Sequence, residues 1–238
     1  MAEETAPYGS GPSPSAAPAK RVRTHHLREM KERGEKITML TAYDMYTAAT
    51  FDEAGIDLLL VGDSASNNVY GNETSLPVTV DELLPLTRAV SRSVTRAMVV
   101  GDLPFGSYQA SPEQGYLTAV RFMKEAGAHC VKLEGGAEMT PVIEKCTQGG
   151  IPVMAHIGFT PQSEHTLGGY RVQGRGDASD RVIADAVVTH VLHRHPAHVV
   201  VLVGQHQVAV AQRYELMCIH GSSWWTCAGR SAERAARR

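Results

Sequence analysis

Three short apolar runs in this chain each end on a glycine beside an acid, and that pattern narrows the possible folds more than any other feature. The runs are Leu58-Leu59-Leu60-Val61-Gly62-Asp63-Ser64, Met98-Val99-Val100-Gly101-Asp102 and Cys130-Val131-Lys132-Leu133-Glu134-Gly135. Short runs rich in Val and Leu are the pattern of strands buried on both faces, which means a parallel sheet. A carboxylate at the carboxyl end of such a strand points to chemistry more than to packing. Three carboxylates brought to one rim repel one another unless a cation lies between them. An all-oxygen ligand set favours a hard ion, Mg²⁺ over a softer metal.

The rest of the chain alternates in the same way. Strands are expected over 37–42, 56–61, 97–100, 129–133, 151–155 and 198–203, with helices over 23–35, 46–54, 79–93, 111–127, 137–148 and 177–191. Thr79 with Glu82 three residues on is a capping box, and Ser111-Pro112-Glu113 joins a cap to a proline at the first helical position. Pro85 weakens the third of these helices. A long polar loop is expected over 158–176. Polar groups recur at the strand ends: Asp44, Asp63, Asp102, Glu134, His156. An open doubly wound sheet uses mainly its switch point, whereas a (β/α)₈ TIM barrel feeds its site from nearly every strand, so the barrel fits better.

The barrel does not close on this count. Six strands are used by Val203, 35 residues remain, and two more βα units need roughly 50. Composition also changes. From Thr189 onward lie six of the eleven histidines, both tryptophans, two of the four cysteines and no lysine. That part carries six arginines against two acids, a charge of +4, so residues 1–188 sum to −6 within the total of −2. The expected organisation is a disordered tail over 1–19, a barrel domain over 20–203 and an aberrant tail over 204–238.

Bulk properties exclude several classes. The near-neutral net charge gives no argument for nucleic acid or an anionic membrane, and no apolar run reaches the roughly 18–20 residues that span a bilayer. Residues 1–20 lack the apolar core of a signal peptide. Cys130, Cys146, Cys218 and Cys227 form no close-spaced metal motif or disulfide framework, so a reducing, cytoplasmic setting is the default.

The motifs around the strands carry a resemblance. Thr41-Ala42-Tyr43-Asp44, Val61-Gly62-Asp63-Ser64, Leu76-Pro77-Val78-Thr79, Asp102-Leu103-Pro104-Phe105 and Val131-Lys132-Leu133-Glu134-Gly135-Gly136 stand in order. After them come the run from His156 to Ser163 and the glycine-rich run from Gly168 to Arg175. Over about residues 20–188 the chain resembles the ketopantoate hydroxymethyltransferases (3-methyl-2-oxobutanoate hydroxymethyltransferases) of actinobacterial type. The resemblance implies a TIM barrel of the phosphoenolpyruvate/pyruvate superfamily, here incomplete, with about six βα units, and a homo-oligomer.

The implied reaction is hydroxymethyl transfer from 5,10-methylenetetrahydrofolate to 3-methyl-2-oxobutanoate. It gives 2-dehydropantoate for pantothenate synthesis through a Mg²⁺-stabilised enolate. By the same resemblance Asp63, Asp102 and Glu134 match the Mg²⁺ ligands, and Asp63, Ser64, Asp102 and Lys132 match substrate-binding residues. His156 is a possible site-lining residue, or a satisfied core histidine. Each acid taken alone is equally readable as a loop acid or cap, and Lys132 as a structural partner of Glu134.

One family feature is missing. The general base is normally a Glu at the end of the sixth strand, where this chain reads Val199-Val200-Val201-Leu202-Val203-Gly204-Gln205, and no acid lies between Asp185 and Glu215. No catalytic base is therefore assigned. The abrupt end of the motifs implies a shift of coding frame near Thr189. The alternatives are an inactive relic that binds Mg²⁺ and keto acid at most, and another Mg²⁺-enolate barrel enzyme. His190, His193, His195 and His198 fit no tight zinc motif, and Trp224-Trp225 reads as an exposed or collapsed tail.

Overall fold

Eight strands form one sheet in chain order, and seven of them run parallel. The computed structural model describes residues 20–169 and the backbone of three further segments, 199–203, 216–220 and 223–226. The expected helix over 177–191 and the histidines from 190 to 198 lie outside the described residues, as do residues 1–19.

After an opening helix α1 (Thr24–Glu32) come β1 (Met39–Thr41), α2 (Met45–Glu53), β2 (Leu58–Val61), the short α3 (Ala65–Asn68) and α4 (Val80–Ser93). Then follow β3 (Met98–Asp102), α5 (Pro112–Ala126), β4 (Cys130–Glu134), α6 (Thr140–Gln148) and β5 (Val153–Ile157). The expected polar loop after β5 holds a 3-10 turn, Pro161–Ser163, and the one-turn α7 (Glu164–Leu167).

Local chemistry explains the helix ends. The Thr79 hydroxyl accepts from Glu82 N–H while the Glu82 carboxylate accepts from Thr79 N–H, a complete capping box. Pro85 does not break α4. Pro85 is exposed, so the Asp81 carbonyl it leaves unpaired faces water, while Leu83, Leu84, Thr87 and Val90 are buried on the other face. Helix α5 starts from the Ser111 cap and stops at Gly127, whose φ of 71° is the left-handed conformation that glycine takes without strain. Asp44 caps α2, its carboxylate accepting from Tyr46 N–H and Thr47 N–H at 2.9 Å each.

The sheet extends past the six expected strands. β6 (Val199–Val203) pairs with β5 in parallel, with His156 opposite Leu202 and Ile157 opposite Val203. β7 (Leu216–His220) then joins β6 in parallel, and β8 (Ser223–Thr226) returns antiparallel to β7 and lies alongside β1. The last two strands form a hairpin, since antiparallel strands need only a tight turn and no crossover helix. Among the described residues the sheet thus has eight strands, the last two joined as a hairpin. Trp224 and Trp225, expected in a tail, sit in β8 opposite Ile219 and Cys218.

Side-chain parity positions the site. Met39, Leu58, Leu60, Met98, Val100, Cys130 and Met154 share one buried cluster, the lower filling of the barrel. Every second residue of a strand faces the same way. The step from Met98 and Val100 therefore arrives at Asp102, that from Cys130 at Lys132 and Glu134, and that from Met154 at His156.

Candidate active site

Asp63, Asp102, Lys132, Glu134, His156 and Gln162 are all buried, none more than 8% exposed, at the carboxyl rim of β2 to β5. Register brings them together: Asp102 is the β-partner of Lys132, and Glu134 is the partner of His156. Asp63 lies just past β2, and its N–H donates to Asp102 Oδ2 at 3.0 Å. Lys132 Nζ stands 2.9 Å from Asp102 Oδ1 and 3.9 Å from Glu134 Oε1. Its structural partner is therefore Asp102 rather than Glu134 alone. The Lys132 approach to Asp102 Oδ1 is a close buried ion pair.

Glu134 has three further partners. Its Oε1 lies 3.1 Å from His156 Nδ1, its Oε2 accepts from Gln162 N–H at 2.9 Å, and its backbone N–H donates to the Tyr108 hydroxyl at 3.0 Å. Ser64 follows Asp63 on the rim, and its hydroxyl pairs with the Tyr43 hydroxyl at 2.8 Å, which also accepts from Asn68 Nδ2 at 3.1 Å.

Charge explains the tension in this cluster. Burial works against a charged Lys132, but Asp102, Glu134 and Asp63 outweigh it and raise its pKa, so the ammonium is retained. Burial pushes the Asp102 carboxyl well above the ordinary range. Lys132 opposes this and the neighbouring Asp63 and Glu134 add to it. Burial also works against an ionised Glu134, yet His156, Lys132 and the Gln162 N–H bring its pKa below the ordinary value. Three ionised carboxylates against one ammonium would leave two negative charges unbalanced in a buried cluster, which is why burial and the neighbouring acids favour the protonated form of Asp102. Among the described residues, however, no three His, Cys, Asp or Glu groups gather tightly enough to ligate one ion directly. Lys132 bridges Asp102 and Glu134, and Gln162 bridges Asp63 and Glu134.

The profile of ketopantoate hydroxymethyltransferase matches residues 21–212, most of the chain. The chain belongs to this family. The match runs beyond residue 188, where the family's motifs stop, into the part of altered composition. Among its relatives is the 3-methyl-2-oxobutanoate hydroxymethyltransferase of Nocardioides sp. (strain ATCC BAA-499 / JS614), 78% identical over 191 residues, covering 78% of this chain and 65% of that protein. The protein of the same name from Paenarthrobacter aurescens (strain TC1) is 64% identical over 194 residues, covering 78% of this chain and 64% of that one. The chain thus spans somewhat under two thirds of the length of these relatives. A solved structure, phosphonopyruvate hydrolase in complex with oxalate and Mg²⁺, shares the fold at 12% identity. Its TM-score is 0.60, over 83% of this chain and 72% of that one.

In this family member, then, the five rim residues expected from sequence, Asp63, Asp102, Lys132, Glu134 and His156, stand in one buried network, with Ser64 beside them. Sequence reasoning did not single out Gln162 or Tyr108. Gln162 lies inside the run from His156 to Ser163, a polar residue behind a proline in a loop, and only that position in a specific motif could have flagged it. β6 ends in Leu202 and Val203 and carries no acid.

Proposed function

We propose that this chain carries the metal and keto-acid half of a hydroxymethyltransferase site, serving transfer from 5,10-methylenetetrahydrofolate to 3-methyl-2-oxobutanoate. The observation that carries this reading is the single ammonium of Lys132 set among three buried carboxylates, a charge set that a divalent cation balances. The donor chemistry fits Mg²⁺, which binds oxygen, keeps several waters and asks for only one or two protein carboxylates. Asp63, Asp102 and Glu134 would hold the ion, themselves or through its waters, which does not require three converging side chains. When bound, Mg²⁺ supplies Lewis acidity to the keto carbonyl, which stabilises the enolate left by loss of the C3 proton.

The chain's own residues do the rest. Lys132 presents a point charge to the substrate carboxylate, Ser64 offers a hydroxyl held in place by Tyr43, and burial of the whole cluster excludes water. C3 would join the methylene carbon of the folate as that carbon's bonds to the two folate nitrogens break and water supplies its hydroxyl, giving 2-dehydropantoate and tetrahydrofolate.

A second reading, binding without turnover, is favoured by one observation. β6 ends beside Ile157 in valine, at the place where the family resemblance leads one to expect the Glu that takes the C3 proton. Deuterium uptake at C3 of 3-methyl-2-oxobutanoate, followed by proton NMR in D₂O with Mg²⁺ and with EDTA, separates the two. Mg²⁺-dependent exchange above the metal-only blank supports the enzyme reading. Soluble, folded protein that binds the keto acid without exchange is a binding protein only.

A further inference from the structure

We propose that Gln162 is the positioning residue of the carboxylate set, fixing Asp63 through its side chain and Glu134 through its backbone. The inference rests on the metal reading given above and names the residue that gives that site its shape. Gln162 is 5% exposed, and its polar atoms are fully engaged. Nε2 donates to Asp63 Oδ2 and to the Leu103 carbonyl, each at 3.0 Å. Oε1 accepts from the Tyr108 hydroxyl at 2.7 Å and from Gln109 Nε2 at 3.2 Å. The backbone N–H donates to Glu134 Oε2 at 2.9 Å.

This arrangement permits one orientation of the amide. The Leu103 carbonyl and the Asp63 carboxylate can only accept, so the NH₂ must face them. On the other side the Tyr108 hydroxyl accepts from the Glu134 N–H, and its own proton faces two acceptors, Gln162 Oε1 at 2.7 Å and the Glu134 carbonyl at 3.1 Å, of which the amide oxygen is the nearer. A reversed amide would set carbonyl oxygen against carboxylate in a pocket already short of positive charge. The bond to Asp63 therefore commits Oδ2 to the amide and sets the angle at which the other oxygen is offered. Through one residue, two acids at the ends of strands that are not neighbours, β2 and β4, are held at a fixed separation. Groups that orient metal ligands in this way are commonly worth about 10- to 100-fold in metal affinity.

The test uses Mn²⁺ as probe for Mg²⁺, with free and bound ion resolved by electron paramagnetic resonance and the metal-free protein melted in EDTA as a separate readout of folding. Gln162→Met keeps the length and the backbone N–H but loses every side-chain bond. Its Mn²⁺ Kd is expected to rise by about 10- to 100-fold, with a changed bound-ion spectrum. Gln109→Met touches the same amide oxygen but no carboxylate, and its Kd is expected to stay within about twofold of the unaltered chain. The proposal is overturned if Gln162→Met binds Mn²⁺ as the unaltered chain does, or if Gln109→Met loses as much. Should Gln162→Met fail to fold, Tyr108→Phe decides instead, because it frees the amide to turn. A rise in Kd of fivefold or more supports the proposal, and a smaller change overturns it. An unaltered chain that binds no Mn²⁺ defeats the metal reading and this inference together, an outcome distinct from failure of the inference alone.

Discussion

Met39, Leu58, Met98, Cys130 and Met154 fill the barrel interior at the amino ends of the strands, packed with Val22 and Leu27 from the segment below. Two to four residues further along, the same interior face carries Asp102, Lys132, Glu134 and His156. Both layers are buried, and both are set by the same two-residue parity. The lower layer is favourable whatever its exact shape, because removing apolar area from water needs no partner. The upper layer is costly unless each charge is matched, and its geometry is therefore specified bond by bond. The floor makes the barrel, and the rim uses the stability that the floor supplies.

Three measurements can break or sharpen that contrast. The largest effect is expected for Lys132→Met, which leaves three buried carboxylates without their ammonium. Chemical denaturation should show a loss of about 3–5 kcal/mol, and calorimetric titration a loss of keto-acid binding. A variant of unchanged stability would mean that the rim charges are not coupled. Met98→Ala at the floor comes next, at about 2–4 kcal/mol by the same denaturation assay, with the Mn²⁺ Kd unaltered. If the metal affinity fell as well, the two layers would not be separable.

The smallest effect concerns His129, below the rim, whose Nδ1 accepts from Val99 N–H at 2.9 Å. Burial first, then Arg21 and Arg23, lowers its pKa to about 4. The unfolded chain takes up this proton near pH 6.5, the folded protein only near 4, so stability is whole above pH 6.5 and declines as pH falls towards 4. Because the ring is partly exposed, a loss of about 1–2 kcal/mol is expected over that window. Comparison with His129→Asn by denaturation at stepped pH isolates the contribution. An identical decline in the variant would assign the pH dependence elsewhere.

Much of this contrast was legible in the sequence, and the reason is parity. A run such as Met98-Val99-Val100-Gly101-Asp102 states its buried face and its polar end in the same five letters, and the caps at Thr79 and Ser111 follow from local bonds. Gln162 was not legible in that way. Its partners Asp63, Leu103 and Tyr108 lie 99, 59 and 54 residues away, and no local rule links them. Lys132 pairs with Asp102 because β3 and β4 are in register, a fact that no single strand contains. The last two strands escaped for another reason: the count assumed βα units, and the chain uses a hairpin. Gly101 marks the same boundary. Its run predicts a strand end, but its need for glycine comes from the Phe122 ring of α5, which lies 2.5 Å from where a Cβ would stand.

The 99-residue span of the Gln162–Asp63 bond also orders events in time. Contacts between distant residues form only after the intervening chain has closed its loop. Synthesis delivers Asp63, Asp102 and Glu134 in turn, yet the acids stay unclamped until the turn after β5 has emerged and docked. The ring that shapes the site is thus a late product of folding, and its amide protons are the natural reporters of the last step to complete and the first to be undone.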